Sequence, residues 1–235
     1  MLNRILIVFV IIFNNLILSN ALSSDQLNFD VTQIEILDNG KKIIGKKRGE
    51  ITTNDGVTIS ADNFEYDKSK NILKANGNIK IDDEINNYQI DTESVVYLKE
   101  IEKIEIKGKS NFLIYSNYNF KAEDVVIQRK EGIISSNRDV TIIDKENQTL
   151  FELSKFSYSF KEEILKGEEF FINTKYNQPF SDKYFFKTAI FDLKNQSYIA
   201  QDIDINLKKD LFGNKDNDPR FKGLSSSSKN GVTTI

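Results

Sequence analysis

The sequence predicts an all-β protein, a folded-over antiparallel sheet of repeated bent strand pairs that makes a jellyroll-like trough. Three observations lead there. An apolar template returns about every thirty residues, starting at Ile59, Ile90, Phe120, Phe151 and Phe186, and repetition at such a period marks a stacked architecture in which each unit buries its face against its neighbours. Each copy also breaks the period-two alternation of a strand at the same place. Beyond the N-terminal segment no convincing amphipathic helix is visible. β-Branched and aromatic residues alternate with polar ones between Asn, Asp, Gly and Lys turns.

At the N-terminus, Arg4 precedes an apolar stretch from Ile5 to Leu18, broken at Asn14-Asn15 and followed by the small-x-small site Ser19-Asn20-Ala21. Residues 1–21 therefore predict a secretory signal peptide cleaved after Ala21, which exports the mature chain. The alternative is an uncleaved anchor, but the stretch is short for a roughly twenty-residue span. A β domain is expected over residues 27–210. With the first apolar residue at zero, apolar side chains fall at 0, +2, +5 and +7: Ile59, Ala61, Phe64 and Tyr66 in the clearest copy. The same places hold Ile90, Thr92, Val95 and Tyr97, then Phe120, Ala122, Val125 and Ile127. They recur as Phe151, Leu153, Phe156 and Tyr158, and as Phe186, Thr188, Phe191 and Leu193.

A second strand follows each template, led by Leu73, Ile104, Ile134, Leu165 and Ile199. Leu73, Ala75, Gly77, Ile79 and Ile81 keep a strict period of two. Asn39-Gly40, Asp55-Gly56 and Asn76-Gly77 are turn or bulge signals. The charged run from Lys99 to Lys109 fits a turn followed by a strand better than a helix, because of Ile101, Ile104 and Ile106. The step from +2 to +5 means that an inserted residue bends the strand, as a bulge does, so that side chains on both sides of the bend face one interior. Pro179 falls in a longer connection. Residues 211–235 read as a polar linker or mobile tail leading toward a missing barrel, with the tetraserine 225–228 as flexible filler, before Val232-Thr233-Thr234-Ile235 begins like a strand.

Composition excludes much chemistry. Of 235 residues, 39% are hydrophobic and 29% charged, a globular balance, and no basic stripe is present to hold nucleic acid. With no cysteine and no histidine, thiol catalysis, disulfides, thiolate metal sites and the usual neutral-pH base are gone. The pairs Asp82-Asp83, Glu162-Glu163 and Glu168-Glu169 invite an acid/base or metal reading. Adjacent strand residues point to opposite faces, however, so the bland reading is solvated turn charge. Asn147-Gln148-Thr149 and Asn195-Gln196-Ser197 match glycan sequons of a kind that arises by chance. No catalytic, metal or cofactor site is expected. The expected groove is lined by Ile59, Ala61, Phe64, Ile79, Ile81, Ile90, Val95, Phe120, Val125, Phe151, Phe156, Phe186 and Phe191. For any single one of these, ordinary core packing is the competing reading. The other whole-protein readings are a surface solenoid with a closed core and a carboxylate-based glycan enzyme on a β-helix.

The stretch from Ile51 to Asp67, continuing from Leu73 to Ile81, resembles the repeat of the OstA-like family of lipopolysaccharide-transport proteins, whose members include LptA, LptC and the N-terminal domain of LptD. The matching residues are Asp55-Gly56, Ile59, Ala61-Asp62, Tyr66-Asp67, Leu73, Ala75, Gly77, Ile79 and Ile81. Asn217 to Ser227 resembles the connection after this domain in LptD proteins, so the resemblance is to the LptD type most of all. It implies a non-enzymatic periplasmic protein associated with the outer membrane, with a groove for the acyl chains of the lipid A part of lipopolysaccharide. It also implies edge strands that join other Lpt proteins by strand addition, an LptA-like bridge among them, and an LptE-like lipoprotein if a barrel follows. A bridge or anchored subunit is the alternative role.

Overall fold

The structure, a computed structural model, describes residues 27–54, 56–179, 181–209, 213, 217 and 219–235. The signal peptide expected over residues 1–21 lies outside the described residues. Among these, nineteen strands form one antiparallel sheet, and no helix is long and apolar enough to cross a membrane. The strands are β1 (Asn28–Leu37), β2 (Lys42–Thr52), β3 (Val57–Ala61), β4 (Asn63–Asp67), β5 (Ile72–Asp83), β6 (Tyr88–Leu98) and β7 (Lys103–Ile106). Then come β8 (Lys109–Ile114), β9 (Tyr118–Glu123), β10 (Val126–Gln128), β11 (Ile133–Ser136), β12 (Val140–Asp144), β13 (Thr149–Leu153) and β14 (Lys155–Ser159). The last are β15 (Ile164–Thr174), β16 (Lys183–Asp192), β17 (Ser197–Asn206), β18 (Arg220–Lys229) and β19 (Val232–Thr234).

Pairing shows that the sheet is folded along a corner into two walls. The first wall holds β4, β7, β10, β11, β14 and β19 with one half of each continuous strand. The second holds β3, β8, β9, β12 and β13 with the other halves. β5, for example, pairs with β4 through Ile72–Asn76 and with β3 through Lys80–Asp83. The corner is where the phase break was expected. Strands are interrupted at Asp62, Asp124 and Ser154, and the β5–β6 register skips between Asn76 and Ile79.

Backbone bonds run along the corner: Arg48 N–H to the Asp62 carbonyl at 2.9 Å, Asp62 N–H to Gly77 at 3.0 Å, and Asp124 N–H to Gly108 at 3.1 Å. Lys47, Arg48, Asn78, Asp124, Glu169 and Asp202 adopt left-handed backbone there, the local cost of turning a strand through a bulge. Gly77 needs its missing side chain twice over. Its φ is +82°, and a Cβ would stand 2.8 Å from Asp62 Oδ2.

At the other end of each strand, several turns share one device. Asp83, Asp144 and Asp192 each accept a backbone and a side-chain bond from the Asn three residues on, Asn86, Asn147 and Asn195, at 2.7–3.0 Å. The following residues, Asn87, Gln148 and Gln196, take the left-handed conformation that closes the turn. The two sequon-like sites are therefore Asx-clamped turns whose Asn side chains are committed to the preceding Asp. The Lys99–Lys109 run is a 3-10 turn, Lys99–Ile101, followed by β7, as its isoleucines predict.

Three expectations need correction. In the fifth copy the corner comes one step early: register passes from Phe186 opposite Ile203 to Thr188 opposite Gln201, skipping Lys187. Ala189 rather than Thr188 is consequently the buried residue. The same shift makes Ala200 the inward residue of the next strand, whereas Ile199 faces out and is 65% exposed. The stretch read as linker and serine filler is strand: β18 pairs with β17 from Tyr198 opposite Ser228 to Asn206 opposite Arg220. A sheet edge needs only backbone donors and acceptors, so low hydrophobicity did not prevent it from pairing.

Candidate functional site

The inward faces of the two walls form one continuous apolar interior from Leu27 to Ile205. Residues on either side of the corner point into it, because the bulge restores the phase that the bend would otherwise invert. Ile59, Ala61, Phe64, Ile79, Ile81, Ile90, Val95, Phe120, Val125, Phe151, Phe156, Phe186 and Phe191 all lie on these faces, and the most accessible, Phe191, is only 8% exposed. The structure brings all thirteen residues together in one buried cluster. Rings from facing walls meet at van der Waals range: Phe120 with Phe156 at 5.9 Å and with Tyr158 at 5.2 Å, and Phe151 with Phe191 edge-on at 5.6 Å.

Opposite the corner no strand pairing joins the walls among the described residues, and a seam runs between their turns. Near the middle of the molecule this seam is clasped. Arg129, in the turn after β10, puts Nε 2.9 Å from Asp83 Oδ2 at the end of β5, with side-chain exposures of 4% and 0%. Its Nη1 also reaches the Tyr97 hydroxyl at 3.4 Å and Glu102 at 3.9 Å. Tyr88 packs on Phe160 across the seam at 5.7 Å, and the Tyr115 hydroxyl donates to the Phe160 carbonyl. Asp83 is thus a buried ion-pair partner, not the solvated turn charge expected of it. Glu162, Glu168 and Glu169 are exposed, as expected. Nothing in the sequence marks Arg129, which sits in an Arg-Lys-Glu-Gly turn like any surface cation.

Toward the C-terminal third the clasp gives way to a cleft of about 200 Å³ between the turns. Phe151, Ile172, Phe186, Phe191, Leu193 and Tyr198 make its apolar floor. One side-chain bond spans it, Gln196 Nε2 to Asn147 Oδ1 at 3.4 Å. Burial, with Asp182 and Tyr198 nearby, pushes the Tyr184 phenol at its edge up to about 12, so it stays a neutral donor. Burial also raises Tyr158 and Tyr118, and the Tyr158 hydroxyl finds no partner among the described residues.

The two ends of the trough differ. At the N-terminal end the inward row Phe64–Gly45–Ile34 and its neighbour Tyr66–Ile43–Ile36 run off the edge of the sheet. Ile34 and Ile36 are therefore 44% and 66% exposed although they belong to the interior face. At the other end the inward row meets serine: Ala200 is opposite Ser226, Tyr198 is opposite Ser228, and the Tyr198 and Ser226 hydroxyls lie 3.3 Å apart. Sequence reasoning missed Ile34, Ile36 and Ser226, because none belongs to a full copy of the template. Among the described residues no acidic cluster could hold a metal ion.

No family model and no curated protein sequence matches the chain. Among solved structures, the chain is similar to LptH, the LptA homologous periplasmic component of the lipopolysaccharide transport device from Pseudomonas aeruginosa. The identity is 9%, the match covers 61% of this chain and 82% of that one, and the TM-score is 0.26.

Proposed function

We propose that the protein is a non-catalytic periplasmic carrier that holds the acyl chains of lipopolysaccharide between its two walls on their way to the outer membrane. The observation that carries this is the geometry of the trough: two apolar faces joined at one corner, no strand pairing across the opposite seam among the described residues, and inward rows that run off the N-terminal edge of the sheet. Each buried methylene contributes about 0.8 kcal/mol, so a dodecyl-length chain gains on the order of 8–10 kcal/mol. The outer edge of β1, which pairs among the described residues only with β2, offers backbone groups to a further strand, which supports joining to neighbouring Lpt domains. The resemblance of Asn217–Ser227 to LptD proteins favours a place beside the outer membrane over a free bridge.

A closed-core structural solenoid is the second reading, favoured by the near-complete burial of the thirteen lining residues. Photocrosslinking separates the two. A diazirine side chain in place of Ile81 or Phe151 is expected to capture lipopolysaccharide in cells, while one at outward-facing Ile199 is not. Capture at none of the inward positions, in a protein that still folds, leaves the closed core. A charged residue at Phe120 is a poorer probe, since it is fully buried and a carboxylate there would unfold the wall.

A further inference from the structure

The seam cleft has a polar rim whose lining charges are both carboxylates, with Lys194 beside one of them, Asp192, and on the lipid-carrying reading that rim decides which chemistry sits above the chain. Asp144 and Asp192 stand on it with the amides Asn147 and Gln196 and the hydroxyls Thr149 and Thr174, and no Lys or Arg is among the described residues that line the cleft. Asp192 is held below the usual carboxylate range by hydrogen bonds from Asn195. Its partners, Asn195 N–H at 2.8 Å and Nδ2 at 2.7 Å, occupy one acceptor on each oxygen. Asp144 is still more committed, accepting from Asn117 Nδ2 and Asn147 N–H at 3.0 Å and from Asn147 Nδ2 at 2.7 Å.

We infer that this cleft takes a single aliphatic chain whose polar end is uncharged, as in an ester or amide linkage, and disfavours one ending in a phosphate or free carboxylate. Volume and charge both point there. A space of about 200 Å³ is smaller than the roughly 300–1,000 Å³ of pockets for drug-sized ligands, and its apolar floor suits the end of an aliphatic chain better than a hydroxylated sugar ring. Above it, two carboxylates repel an anion, while the amides and hydroxyls can hydrogen-bond a neutral carbonyl. Because their oxygens already accept local donors, the same carboxylates have little left for a strong cation pair. The cleft thereby separates a chain attached to a larger lipid from a free fatty acid or alkyl phosphate of equal length.

Amide NMR titration of the full chain with monododecanoyl glycerol and with dodecyl phosphate, both below their micelle concentrations, tests this. The ester is expected to shift the amides of Phe151, Phe186, Phe191 and Tyr198, with binding about tenfold tighter than the phosphate. Gln196→Lys, a change on the exposed rim, is expected to narrow that ratio by raising phosphate affinity. Equal or tighter binding of the phosphate to the wild type overturns the charge argument, as does an unchanged ratio in Gln196→Lys. Shifts confined to other residues, or none, overturn the cleft as a chain site. Lipopolysaccharide capture at Ile81 is independent of all these outcomes, so failure of the cleft and failure of lipid carriage are told apart.

Discussion

Asp83 and Arg129 join the two walls by a charged bond where their surroundings are mostly aromatic and aliphatic. Removing one partner leaves the other buried and uncompensated, which costs about 3–5 kcal/mol, whereas replacing both with apolar groups of similar volume is often neutral or stabilising. Arg129→Met alone is therefore expected to lower unfolding stability by that amount in urea titration. Asp83→Asn with Arg129→Met, which removes both charges and keeps an acceptor for Asn86, should recover most of it. A double variant as unstable as the single one would mean that the pair stabilises the walls beyond what packing supplies. That these thirteen residues face inward was legible in the sequence, because hydrophobic phase reports which face a side chain takes. Arg129 was not legible, since its burial depends on a turn from one wall arriving over a strand end from the other. Asp83 was misread for the same reason: local alternation puts it on a face but cannot say what crosses the seam to meet it.

Among the elements, the corner carries the fold. The one-residue insertion in the apolar template made it visible in advance for the copies starting at Ile59, Ile90, Phe120 and Phe151. The fifth copy departs because β16 takes its skip at Lys187, one residue nearer the start of the template, which the spacing of Phe186, Thr188 and Phe191 does not reveal. Gly77→Ala is expected to destabilise the domain by about 1–3 kcal/mol, through left-handed strain and the approach to Asp62. Ala at Gly40, where no atom lies within 4 Å of the added Cβ, should show the strain without the clash and so a smaller loss. Equal losses would remove the corner's special status. The edge strands are the second element-level feature. Ile36→Lys on β1 should leave the monomer's stability within about 0.5 kcal/mol, as for other surface changes. It should weaken any end-to-end association seen by analytical ultracentrifugation, since a charge on an open edge opposes strand addition.

At the scale of the whole molecule, two walls joined at one corner enclose an interior filled by their own side chains. The lipid carriage proposed above therefore requires the seam to open while the corner stays intact. The chain contains no cysteine, so two introduced thiols report on that motion without background. Spin labels at Glu146→Cys, on a second-wall turn, and Lys194→Cys, on the facing first-wall turn, span the seam at the cleft. Pulsed electron resonance should give a longer separation between them at saturating lipopolysaccharide than without it. An unchanged distance distribution with lipid demonstrably bound would contradict the claim that acyl chains lodge between the walls.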